Sequence, residues 1–155
     1  MFERGIFMKV STKGRYGLRS MIDLAINSTH GHVALSLIAE RQNISVNYLE
    51  QVFSTLRKAG LVKSVKGAQG GYTLLEAPSK ITIGRILRAL EGDLALVEEL
   101  GASLTKDDSL QYCIKVNVWD KMTESLNHIV DSITLEDMVN DYKKMNNREN
   151  QMYYI

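Results

Sequence analysis

Three glycines, Gly67, Gly70 and Gly71, fall within five positions of the run KSVKGAQGGYTL between Lys63 and Leu74. A glycine-rich run beside lysines is found in loops that cradle a nucleotide phosphate. Such a loop of the Walker type needs four residues between its first glycine and a Gly-Lys-Ser/Thr ending, with a helix directly after. Gly67-Ala68-Gln69-Gly70-Gly71 meets neither condition. Leu61–Val65 and Tyr72–Leu75 instead read as two short strands, so the glycines form the tip of a hairpin. There they permit a tight turn and a close approach of backbone to a ligand.

Upstream of this hairpin the periodicity is helical. Thr12–Asn27 carries Leu18, Met21, Ile22, Ala25 and Ile26 as a stripe, with Ser11 or Thr12 as N-cap. A short helix from Ser36 through Gln42 turns Leu37, Ile38 and Ala39 inward and ends at Asn43, a residue tolerant of left-handed backbone. Ser45 then caps a longer helix anchored by Val46, Leu49, Phe53 and Leu56 and ended by Gly60. Downstream, Thr82 opens a helix with Ile83, Ile86, Leu87 and Leu90 on one face. Gly92–Asp108 lacks clean periodicity and reads as a connection. Ser109–Val130 is the longest helical segment, and Trp119, Met122, Leu126, Ile129 and Ile133 make a heptad-like seam along it. Thr134 with Glu136 and Asp137 starts a last helix. The fold class is mainly α with one small sheet.

Two helices joined by a tight turn, preceded by a third and followed by a hairpin with a basic tip, are the parts of a winged helix-turn-helix, with a long C-terminal helix after it. In such a module the second helix of the pair exposes polar side chains near its N-terminus to the major groove. Asn47, Tyr48, Glu50 and Gln51 lie off the apolar stripe at that end. Asn and Gln can pair with adenine, and a carboxylate can accept from the cytosine amino group. Ser45 and the helix N-terminus can hold a phosphate, with Arg57, Lys63 and Lys66 adding charge. The plainer reading of Asn47–Gln51 is a solvated helix face. Charge favours the first: residues 1–75 carry ten Lys/Arg against four acids, and residues 76–155 carry nine against fourteen.

The runs STKGRYGL, ISVNYLEQVFSTLRKAGLV and KGAQGGYTL, followed by ITIGRILRALEG and SITLEDMV, resemble the Rrf2 family of bacterial transcription regulators from Met8 onward. Residues 1–7 precede the family's usual start and read as an alternative start or an expression remnant. The resemblance implies a homodimer on palindromic double-stranded DNA, paired through the long helix. It puts Ser45, Asn47, Tyr48, Glu50 and Gln51 at base- and phosphate-contacting positions, with Gly70 in the wing. Lys66 stands where the wing usually offers an arginine to the minor groove, so the charge is kept and the planar fork is lost. Lys13 and Arg15 are phosphate contacts or a solvated helix end. The implied divisions are a DNA-binding domain over 8–78, a connection over 79–108, dimerisation helices over 109–145 and a tail over 146–155.

Several members of the family sense iron–sulfur status through a cluster held by three cysteines before the long helix. Here Cys113 is the one cysteine and Val116 stands where some members place a histidine, so no cofactor is expected, with an iron–sulfur-sensing regulator using Cys113 as the alternative. Cys113 reads as a small buried hydrophobe or, alternatively, as a redox thiol. The cysteine-free connection and the YYI terminus look most like the subgroup containing the cysteine metabolism repressor, which implies control of sulfur metabolism. They also imply O-acetylserine thiol-lyase as a partner, docked through Tyr154-Ile155 or, if that tail is only frayed, not through it. No Ser/His/Asp ordering or paired carboxylates suggest catalysis, His30, His32 and His128 are too scattered for a metal site, and no apolar run reaches membrane-span length. A cytoplasmic regulator is therefore expected, with a protein-interaction module that binds no DNA as the alternative.

Overall fold

A computed structural model describes residues 10–97 and 109–152 of the 155-residue chain. Residues 1–7, most of the connection before the long helix and the terminal Tyr154-Ile155 lie outside the described residues.

Helix α1 spans Thr12–Asn27, and the Ser11 side chain caps it by accepting from the Gly14 amide. Helix α2, Leu35–Gln42, stops where Asn43 adopts the left-handed conformation at φ 54° and ψ 51°. That conformation turns the chain into α3, Val46–Lys58, which Ser45 caps through the Tyr48 amide. Two inward assignments need correction. Leu37 is 46% exposed, because Ile38 and Ala39 take the core face of so short a helix and leave position 37 about 100° off it. Val46 is 39% exposed, because the first residue of α3 lies beyond the core edge; Val52 joins Leu49, Phe53 and Leu56 inside instead.

The hairpin consists of β1, Val62–Val65, and β2, Gly71–Leu74, paired antiparallel from Val62 opposite Leu74 to Val65 opposite Gly71. Val33, just ahead of α2, adds one further rung by exchanging amide–carbonyl bonds of 2.9 and 2.8 Å with Tyr72. A Cβ on Gly71 would stand 2.2 Å from the Val33 carbonyl oxygen, so only glycine allows this rung beside β2. At the tip Gly67 has φ +118°, a conformation open to glycine, and its carbonyl accepts from the Gly70 amide at 3.0 Å.

Helix α4, Ile83–Glu91, is capped by Thr82. The expected long helix is continuous but not uniform: α5, Leu110–Ile114, passes through a wider π turn at Lys115–Trp119 into α6, Asp120–Ser132. Helix α7, Leu135–Met152, runs past residue 145, so much of the segment assigned to a tail is helical. Thr134 and Asp137 cap α7 reciprocally, each side chain taking the other's amide, at 2.9 and 3.1 Å.

One core joins both ends of the chain. Met21, Leu24, Ile38, Leu49, Phe53 and Ile86 are buried with Val130, Leu135 and Val139 from the C-terminal helices. The α6–α7 corner is also stitched by backbone, Ile83 donating to Ile133 and Leu135 to Ile81, both at 2.9 Å. Arg88 of α4 grips Asp131 of α6 at 2.7 and 2.8 Å and Asn127 at 2.6 Å. That guanidinium holds the Asp131 carboxyl below the usual carboxylate range.

Candidate nucleic-acid interface

Helix α3 buries Leu49, Val52, Phe53 and Leu56, and so turns Asn47, Glu50 and Gln51 to solvent together with Ser45. Their spacing of three and four residues puts Asn47, Glu50 and Gln51 on one side of the helix. Tyr48 is half-buried, its ring meeting Tyr16 of α1 edge-on with centroids 6.0 Å apart. Of the flanking cations, Arg15, Arg57, Lys63 and Lys66 are exposed and Lys13 is half-buried. The wing is fixed to α3 rather than hinged on it, since the Tyr72 ring packs on Phe53 at 4.9 Å between centroids. His32 bonds the Gln69 carbonyl, tying the wing tip to the segment ahead of α2.

The turn between α2 and α3 is held by groups that the periodicity did not single out. Asp23, 4% exposed, lies in α1 between core residues and accepts from Arg41 at 2.7 and 3.0 Å and from Gln42 at 2.7 Å. These bonds to Asp23 raise the Arg41 guanidinium above its ordinary value. A buried carboxylate must be paired, so the network holds the end of α2 against α1 and sets where Asn43 turns. The legible signal was an acid inside the apolar stripe of α1; its partner Arg41, eighteen residues on, is set by the packing of α2 on α1. Arg19 was also missed. Its guanidinium lies 5.0 Å from the Tyr16 ring centroid and donates to the Gln42 carbonyl at 3.1 Å.

The seam residues divide. Trp119, Met122 and Ile129 are 38%, 39% and 55% exposed. Leu126 and Ile133 pack against the core, so the seam runs along the edge of the docked helix. Cys113 is exposed, which corrects its reading as a buried hydrophobe: α5 buries none of its residues, and Asn117 Nδ2 lies 3.6 Å from the Cys113 Sγ.

The family profile of Rrf2, described as an iron-dependent transcriptional regulator, matches residues 10–141. The chain belongs to the Rrf2 family. It is similar to the HTH-type transcriptional regulator CymR of Bacillus subtilis, with 44% identity over 148 residues, 96% of this chain and 100% of CymR. It is 40% identical to IscR of Klebsiella pneumoniae over 136 residues, 86% of this chain and 81% of that protein. The solved structure of B. subtilis CymR, called the global cysteine regulator, superposes with a TM-score of 0.72 at 42% identity, over 86% of this chain and 98% of that one. This Rrf2 chain is thus a CymR-like, DNA-binding transcriptional regulator with a winged helix and a C-terminal helix. Iron dependence in the family raises the question of a cluster. The donor set here does not fit one: Cys113 is the single thiol of the chain, and among the described residues no three His, Cys, Asp or Glu gather. No helix among the described residues is long and apolar enough to cross a membrane.

Proposed function

We propose that this Rrf2 regulator is a homodimeric repressor that reads palindromic operators through α3 and the wing, and that its targets belong to sulfur and cysteine metabolism. The carrying observation is the exposed polar face Ser45, Asn47, Glu50 and Gln51 on a helix that buries Leu49, Val52, Phe53 and Leu56 on its other side. Ser45 holds a phosphate beside the α3 N-terminus, and Asn47, Glu50 and Gln51 read base edges. Lys13, Arg15, Arg57, Lys63 and Lys66, with the Gly70 backbone, hold the sugar-phosphate chain on both sides. Dimerisation uses Trp119, Met122 and Ile129, whose exposed apolar surface needs a cover. The sulfur assignment rests on likeness to CymR, called the global cysteine regulator. O-acetylserine thiol-lyase as partner rests on the resemblance of the cysteine-free connection and the YYI terminus, and co-elution of the two purified proteins tests it.

The decisive test is a binding titration against operator and scrambled duplexes at several salt concentrations. Glu50→Ala is expected to narrow the gap between the two duplexes by about 1–3 kcal/mol. Lys66→Ala is expected to weaken both equally and to lower the salt slope by about one. Equal losses in both variants on both duplexes would remove the base-reading role of Glu50.

A second reading is favoured by the exposure of Cys113: regulation by thiol oxidation. Staphylococcus aureus CymR, 39% identical, has been solved in an oxidized form. Peroxide is expected to alter operator affinity of the native protein and to leave Cys113→Ser unchanged; an identical response in both would exclude the thiol.

A further inference from the structure

Arg19 stands at the entrance to the turn that leads into α3. On α1, Thr12, Arg15, Tyr16 and Arg19 follow one another at helical spacing, and Arg15 also donates to Thr12 Oγ1 at 3.2 Å. Both guanidiniums lie over the Tyr16 ring, Arg15 at 6.0 Å and Arg19 at 5.0 Å from its centroid. The same ring packs at 84° to Tyr48 of α3, so this basic strip borders the proposed reading face directly. Arg19 remains exposed, and its Nη2 is held by the Gln42 carbonyl, the last residue of α2 before the turn. A guanidinium has five N–H donors, and the Gln42 bond takes one. Ring and carbonyl restrain the guanidinium at two points, and the exposed side chain keeps further N–H donors for a ligand.

We propose that Arg19 is a contact to a DNA backbone phosphate, preorganised by Tyr16 and by the Gln42 carbonyl, and that it registers α3 in the groove. A planar fork suits a phosphate with two parallel N–H bonds, and fixing it beforehand removes much of the ordering cost on binding. Phosphate contacts of this kind position a protein without reading sequence. The inference rests on the DNA-binding reading of α3. The alternative role for Arg19 is solely to satisfy a free carbonyl at the end of α2.

The experiment compares the full-length protein with Arg19→Met, which keeps the stem over Tyr16, and with Arg19→Lys, which keeps the charge. Operator and scrambled duplexes are titrated across a salt series, and helicity and Tm are recorded alongside. For Arg19→Met the expected result is about a tenfold loss on both duplexes, with the salt slope lowered by about one for each protomer bound. Arg19→Lys is expected to keep the slope and recover part of the affinity. A wild-type slope in Arg19→Met, when wild-type protein binds DNA, overturns the phosphate role alone. Wild-type protein that binds no duplex overturns the reading of α3 first and this inference with it. Should Arg19→Met lose helicity, the slope of Arg19→Lys against that of a Tyr16→Leu variant, which frees the guanidinium without removing it, decides. Tyr16→Leu is expected to keep the slope and lose affinity, and wild-type affinity in it overturns preorganisation.

Discussion

The α1–α3 region and the α5–α6 helix solve opposite problems with the same kinds of residue. In the first, every large apolar side chain of α3 except Val46 and half-buried Tyr48 is enclosed, and the outward face is polar and basic. In the second, Leu110, Val116, Val118, Trp119, Met122 and Ile129 face outward. A surface of the first kind is complete by itself and offers hydrogen bonds and charge to a ligand. A surface of the second kind is apolar and gains free energy only when something covers it. One chain therefore carries a polar face that is already formed, the one proposed to read DNA, and an apolar face, the one proposed to pair with a second copy.

The largest expected effect breaks the first region from inside. Phe53→Ala removes the ring that supports both the α1–α3 core and the wing residue Tyr72, and should cost about 3–5 kcal/mol, read as a fall in the urea midpoint. If the wing were independent of α3, the wing's amide protection from exchange would survive this change. Next comes the second region. Ile129→Glu places a charge on the proposed dimer seam, 55% exposed in one chain, and should raise the dimer dissociation constant at least about tenfold while leaving monomer stability nearly unchanged. Analytical ultracentrifugation reads the first quantity and thermal melting the second. An unaltered dimer would move the seam elsewhere on α5–α6.

The smallest effect sharpens how the two regions are joined. Hydrogen bonds from Thr134, first through its backbone, hold the Asp137 carboxyl below its usual value, and Arg88 does the same for Asp131. A lowered folded pKa means stability that is present above the unfolded value and lost as pH falls through the folded one. Melting temperature should thus decline on acidification below about pH 4, and Asp137→Asn with Asp131→Asn should flatten that decline. An equally steep fall in the double variant would place the acid sensitivity elsewhere.

The order of elements was legible because each rests on local physics. Ser45 and Thr82 cap the helices they precede, Asn43 takes the left-handed turn, and the glycines make a hairpin tip. Leu37, Val46 and Cys113 misled because burial depends on what lies opposite, and a helical stripe does not say where the partner surface ends. Asp23 with Arg41 was not legible as a pair, since the two come together only when α2 folds back on α1.

By itself, then, the sequence determined the winged helix-turn-helix, its basic half and the identity of the polar residues at the start of α3. Caps, turns and periodicity act over a few residues and can be read along the chain. Tertiary structure decided what those residues stand beside: Tyr16 against Tyr48, Arg19 at the last carbonyl of α2, Tyr72 on Phe53, and α6 docked through Arg88. These juxtapositions join residues far apart in the chain, and only the packing of a shared core selects which of the many polar and aromatic side chains meet.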